Sequence, residues 1–461
     1  MGVDVSGMNL LMIAARRGST EVLEEVLLAM VDTLTKAQMM EMLTNYDGGR
    51  VSLLMHAARS GRHAVFACVR DALERFMPED WHQQALDRQS HDGMSRTLLM
   101  HAAQGGALDV FLAAKSIVPA SQLSMVDLWH RNTLHHAAEG GGSEVFAELQ
   151  PLMPADQVTA QDRNGADVLM YAAKGGSVQI FRKLQGHLQM MGVKVESMLR
   201  HRDGRGVTPL MYAVEGGNSE VFSAIVGDVF NVSHLGALYD GLTEGDNEGC
   251  TTLMYAALGG RPEMVNMVLD ALADVPQPPG GPLLQALAAQ LVARDKSGRT
   301  ALMYAAEAGS IDALTTLLQG TVNEGSELPQ VQMRRQLTSV DHAGRSVLMY
   351  GIRSRSTDVV VGIVSLLKAH FQPKEVQEQL LAADNEGTTV MMLAARTRTL
   401  EVFSVLLEVL KGMGARPREL QRLLLVEKDE SVEPASALVH ASRAACLPVV
   451  ELILDVAVIR G

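Results

Sequence analysis

Cysteine is nearly absent: Cys68, Cys250 and Cys446 are the three in 461 residues, and they lie far apart. That spacing gives no disulfide framework and no Cys-rich zinc site, and it suits a reducing, cytoplasmic setting. Aromatic residues make up 4% of a chain that is 47% hydrophobic, so an aliphatic core is expected. Positive charge is in deficit. The net charge is -13, which argues against general nucleic-acid binding, where a basic face supplies much of the affinity. No apolar run reaches the ~18 residues that suggest a membrane helix. No basic n-region followed by an apolar h-region opens the chain, so no secretory leader is expected. G-x-S-x-G, H-E-x-x-H and the phosphate loop G-x-x-x-x-G-K-S/T are all missing. The sequence therefore predicts a protein that is not an enzyme and holds no cofactor or metal. One targeting pattern is present. "MGVDVS" places Gly2 and Ser6 as N-myristoylation requires, without the polybasic stretch or nearby cysteine that would add a second anchor.

What is there is a phrase said many times over. "DRNGADVLMYAAKGGS" begins at Asp162, "DNEGCTTLMYAALGG" at Asp246 and "DKSGRTALMYAAEAGS" at Asp295. Aligned on the opening aspartate, copies begin at Asp4, Asp47, Asp92, Asp127, Asp162, Asp203, Asp246, Asp295, Asp341 and Asp384. Ser431 opens a weaker eleventh. The intervals run from 35 to 49 residues, a fixed unit with variable spacers, as in a solenoid with insertions.

Each position in the unit has a physical reason. With the aspartate as position one, position four is glycine in seven copies, which suits a tight turn at positive φ. Position six is Thr, Ser, Asn or Asp throughout, the residues that cap a helix N-terminus. An apolar stretch follows, with leucine at position eight in ten copies and methionine at position nine in nine. Glycine at position fifteen closes this short inner helix in eight copies. An acid at position eighteen then opens a second, outer helix, where the helix dipole favours negative charge. Two or three turns are marginal alone, so units must stack to bury what each leaves exposed. Between units, "LTKAQMMEML" (34–43), "PKEVQEQLLAAD" (373–384) and "PRELQRLLLVE" (417–427) read as a short third helix.

"DGRGVTPLMYAVEGGNSEVF", from Asp203 to Phe222, resembles the ankyrin repeat, and the resemblance extends over essentially the whole chain. It implies an all-α solenoid of about eleven antiparallel helix pairs, with β-turn fingers on one side and a concave groove used for protein binding. The expected organisation is one array over residues 1–461: a capping copy at 1–46, central copies at 47–383 and irregular copies at 384–461. Two departures stand out. The family's histidine at position nine, which usually bonds backbone near the turn, is kept only as His135, so turn rigidity is expected to suffer and methionine packing to stand in. The last three copies put Arg355, Arg398 and Ala445 where glycine closes the inner helix, and a less regular fold is expected there.

The position-ten column of His56, His101, His136, Tyr171, Tyr212, Tyr255, Tyr304, Tyr350 and, later, His440 reads as packing or a surface ladder. Stacked helices stand ~8–10 Å apart, too far for histidines to converge at the ~2.1 Å a zinc ion demands. The methionines read as core filler. The residues expected to contact a partner are those that vary at the turns and at the end of the inner helix: Asn247, Glu248, Cys250, Leu258, Gly259, Lys296, Arg299 and Arg345. Five copies have glycine at position fourteen (Gly105, Gly140, Gly175, Gly216, Gly259), which suggests a groove floor open to another backbone. Basic clusters occupy both ends, Arg16, Arg17 and Arg59 at one and Arg353, Arg355, Arg396, Arg398 and Arg443 at the other. On an acidic chain they point to an acidic or phosphorylated partner segment, unless neighbouring acids absorb them. The function that follows is a protein-interaction scaffold or adaptor. The alternative is a structural subunit built permanently into a larger assembly.

Overall fold

The computed structural model describes residues 3–76, 91–194, 197, 200–230, 235–275, 285–320, 329–414, 420–421, 424–425 and 436–458. Gly2, Ser431 and most of 417–427 lie outside them. Two compact units are present, residues 1–225 and 226–461.

In the first unit, inner helices Leu10–Arg17, Leu53–Arg59, Leu98–Gly105, Thr133–Gly140, Val168–Gly175 and Pro209–Gly216 stack in register, each with an outer helix behind it. The second unit repeats the scheme with Thr252–Leu258, Ala301–Glu307, Val347–Arg353, Val390–Arg396 and Ala437–Arg443. Position six caps these helices as its chemistry dictates. In ten of the eleven, its side chain accepts from the backbone N–H of position nine, as Ser52 does from Met55 at 3.2 Å. Third helices form at Lys36–Thr44 and Pro373–Leu381, where the sequence predicts them, and also at Leu235–Thr243, Gln285–Val292 and Pro329–Leu337. The described residues hold no β-strand, only isolated bridges at the bases of fingers, such as Tyr46 with Ser52.

The core is not purely aliphatic. Six of the nine phenylalanines, Phe66, Phe111, Phe146, Phe181, Phe222 and Phe403, occupy position twenty on the outer helices and are buried beneath the inner ones. Few aromatics suffice because one repeated position uses them. The methionines at position nine are buried too, from Met12 to Met392.

The less regular fold expected of the last three copies does not extend to their inner-helix stops. Arg355, Arg398 and Ala445 hold φ of 62°, 64° and 52°, the left-handed conformation that Gly309 holds at 76°. Stacking imposes the helix stop, and the side chain tolerates a conformation that costs an L-residue roughly 1–2 kcal/mol. The open groove floor is corrected as well. A Cβ on Gly105 would lie 2.6 Å from the Ala58 carbonyl oxygen, and one on Gly140 or Gly175 would collide with the backbone of the preceding inner helix. The backbone that these glycines admit is the protein's own. Gly259 alone of the five would meet only its own helix, at 3.4 Å.

Candidate functional site

Among the described residues, ten fingers are each built around an aspartate, from Asp4 to Asp384. Oδ1 of Asp295 accepts from the backbone N–H groups of Ser297 and Arg299, both at 2.8 Å, and the other copies repeat the pattern. Neighbouring fingers are sewn together by backbone bonds, as from Lys296 N–H to the Glu248 carbonyl at 2.8 Å and from Asn385 N–H to Ala343 at 2.8 Å. The second carboxylate oxygen reaches the inner helix. It bonds His56, His101 and His136 at 3.1–3.2 Å, then Tyr171, Tyr212, Tyr255, Tyr304 and Tyr350 at 2.8–3.0 Å.

This overturns the expectation of soft turns. The polar tie has moved from position nine to position ten, and the column read as packing is a strut between finger and helix. The sequence carried a signal for it. Ile13 and Leu393 cannot make the bond, and their aspartates, Asp4 and Asp384, keep only backbone partners, whereas the six buried aspartates all carry it.

Burial and charge tune the strut. Burial pushes the Tyr350 phenol up to about 12, reinforced by its bond to Asp341. Burial pulls His101 down to about 4, against the opposing pull of Asp92, so the imidazole is neutral at physiological pH. Burial would raise the Asp92 carboxyl. The bonds from His101 and the Arg96 backbone, with the Arg96 guanidinium at 2.7 Å, win and hold it well below the usual range.

The residues expected to meet a partner divide into two groups. Arg345 is spent on Asp341 at 2.8 Å and lies over the Tyr350 ring. Arg299 pairs with Glu307 and stacks 3.9 Å from the centre of the Tyr304 ring. Cys250 is half-buried with Sγ 3.2 Å from the Tyr304 hydroxyl, and burial raises its thiol pKa, so it is not activated. Arg398 donates to the Ala444 carbonyl of the next copy. Asn247, Glu248, Leu258, Gly259, Lys296, Arg355 and Arg396 remain on the surface.

Position thirteen, the last turn of each inner helix, makes a row. In the second unit it reads Leu258, Glu307, Arg353, Arg396, Arg443. Arg353 lies 3.7 Å from Glu307, an acid it shares with Arg299. Arg396 and Arg443 flank His440, whose pKa is lowered first by burial and then by those two cations. At the other end Arg59 is likewise lowered, by burial and then by Arg96 and Arg16. In the middle copies the row is neutralised: Gln104 bonds Glu139 at 3.2 Å and Lys174 pairs with Glu215 at 2.8 Å.

Paired short helices, Asp-anchored fingers and a stacked inner face define an α-solenoid of the repeat class that presents a surface rather than a cleft. Family models of ankyrin repeats match residues 134–235 and 169–278, and the single ankyrin repeat matches 297–325. The chain is an ankyrin-repeat protein. Ankyrin repeats are in general modules of protein–protein interaction, and proteins built from them are typically non-enzymatic. No curated protein matches the chain. Among the described residues, no helix is long and apolar enough to cross a membrane.

Proposed function

We propose that this chain is a scaffold or adaptor that binds an acidic or phosphorylated segment of a protein partner across the inner helices of its last three copies. The observation that carries the reading is the row Arg353, Arg396 and Arg443. Three exposed guanidiniums stand one per inner helix at the same position, on a chain of net charge -13. Arg353 lies 3.7 Å from Glu307, an acid that Arg299 already pairs with. A guanidinium fork matches carboxylate and phosphate oxygens two at a time. Stacking holds the row in place before the partner arrives, which lowers the ordering cost of binding. The exposed Arg355, Lys296, Leu258 and finger residues Asn247 and Glu248 extend the same contact surface.

Arg396→Glu is the cleanest test, because Arg396 is exposed and its reversal strands no buried acid. The partner is captured from native cells by crosslinking and mass spectrometry, then titrated against both proteins. Affinity should fall by about tenfold or more, with the circular dichroism and melting temperature unchanged. Equal affinity overturns the reading. A chain that never separates from its partner during purification favours the permanent subunit instead. The same mass spectrometry reads whether Gly2 carries a myristoyl group.

A further inference from the structure

In the second unit the ends of two third helices, Gln285–Val292 and Pro329–Leu337, meet the start of the inner helix Ala301–Glu307. Between them is a cavity of about 130 Å³ lined by Val292, Arg294, Thr300, Arg335, Gln336 and Ser339. Two of its lining residues carry a buried polar atom without a partner. Thr300 is 4% exposed, and it is the one position-six residue whose side chain makes no cap bond; its Oγ1 has no partner. The Met303 N–H bonds the Thr300 backbone carbonyl instead, at 3.0 Å. Gln336 is 5% exposed, and its Nε2 has no partner either.

The preceding copy shows how such an amide is otherwise satisfied. Gln290 stands five residues before Asp295, as Gln336 stands five before Asp341, and Gln290 Nε2 donates to the Thr243 carbonyl at 3.0 Å. Buried donors left unmade are costly, so two in one small cavity ask for an acceptor.

The charge of the cavity says which acceptor. It is lined by two arginines and no acid. Arg335 is exposed, and its guanidinium forms no ion pair or hydrogen bond among the described residues. Arg294 donates Nη1 to the carbonyls of Gly298 and Val340, at 2.8 and 2.6 Å, which fixes it at the rim with the rest of its fork unused. Ser339 spends its proton on the Gln336 carbonyl at 2.7 Å. The volume is several times the ~10–15 Å³ that one water needs on the same measure, room for one tetrahedral oxyanion.

We propose that this crevice binds a small oxyanion of the phosphate class. Arg335 and Arg294 supply positive charge from the rim, and Gln336 Nε2 and Thr300 Oγ1 donate from the floor. The site is separate from the position-thirteen row and stands or falls without it.

The test is equilibrium dialysis of radiolabelled inorganic phosphate against the full chain, at ionic strength matched with chloride. The wild type should show one saturable site. Arg335→Gln, at an exposed position, should weaken it by roughly tenfold or more, the scale of one charge-assisted hydrogen bond. Gln336→Glu, which replaces a donor with a carboxylate of the same shape, should abolish it. Arg396→Glu should leave it unchanged. Absence of saturable binding up to roughly 10 mM, weaker than the millimolar range, overturns the proposal. So does equal binding by wild type, Arg335→Gln and Gln336→Glu. O-phospho-L-serine separates the sources. Binding comparable to phosphate means the crevice takes the phosphate ester of a modified chain; exclusion of the ester, with phosphate still bound, means it takes the free ion.

Discussion

The hydroxyl of Tyr304 donates a 2.8 Å hydrogen bond to Oδ2 of Asp295, nine residues earlier, while Oδ1 of the same carboxylate accepts two backbone N–H groups of the finger. One side chain thus fastens a turn to the helix that follows it. Eight copies carry this strut, with histidine as the donor side in three and tyrosine in five.

Removing the phenol should cost most where nothing else reaches the second oxygen. In Tyr171→Phe, Asp162 is left buried with its two backbone partners alone, and a loss of about 1–3 kcal/mol follows. Tyr350→Phe should cost less, about 1 kcal/mol, because Arg345 still contacts the Asp341 carboxylate at 2.8 Å. Urea titrations of the two variants measure the difference, and equal losses would refute the ranking.

The histidine copies should be the acid-sensitive ones. His101 is lowered to about 4 and His135 to about 3, both from 6.5 and both chiefly by burial. A histidine whose folded pKa is depressed stabilises the fold above the unfolded pKa. That stability is lost as pH falls from about 6.5 towards the folded value. For His101 the integrated loss is roughly 3 kcal/mol. Hydrogen exchange should therefore accelerate in 98–140 between pH 6.5 and 4.5, after correction for intrinsic rates. Helices 301–307 and 347–353, whose struts are tyrosines, should change less in that window.

Glycine at position fourteen should be indispensable in one place and dispensable in another. Gly175→Ala drives a methyl into the Ala138 carbonyl of the neighbouring inner helix and should destabilise by about 1–3 kcal/mol. Gly259→Ala meets only its own helix at 3.4 Å and should be neutral or slightly stabilising. Thermal melts of the pair decide it.

Arg355→Gly should stabilise. The left-handed strain it relieves is roughly 1–2 kcal/mol, partly offset by the added freedom of glycine in the unfolded chain, for a net gain of about 0.5–1 kcal/mol. A lowered urea midpoint would show that the arginine makes contacts that outweigh its backbone strain.

The sequence alone determined the repeat, because its signals are local. A cap at position six, a stop at position fifteen and an apolar run between them act within a few residues, and each formed where it was read, apart from the side-chain cap at Thr300. The third helices at Lys36–Thr44 and Pro373–Leu381 were legible for the same reason. Half of the strut was also in view, since His and Tyr at position ten accompany the aspartates that become most buried. What only the tertiary structure decided are relations between copies. Gly140 and Gly175 read as open floor until the preceding carbonyl was seen above them. Arg299 and Arg345 read as free contacts until Glu307, Asp341 and the tyrosine rings were placed beside them. Arg294, Thr300, Arg335 and Gln336 had no shared motif at all. They meet because stacking brings together residues that the chain separates by about one repeat, and that distance leaves no periodic mark in the sequence.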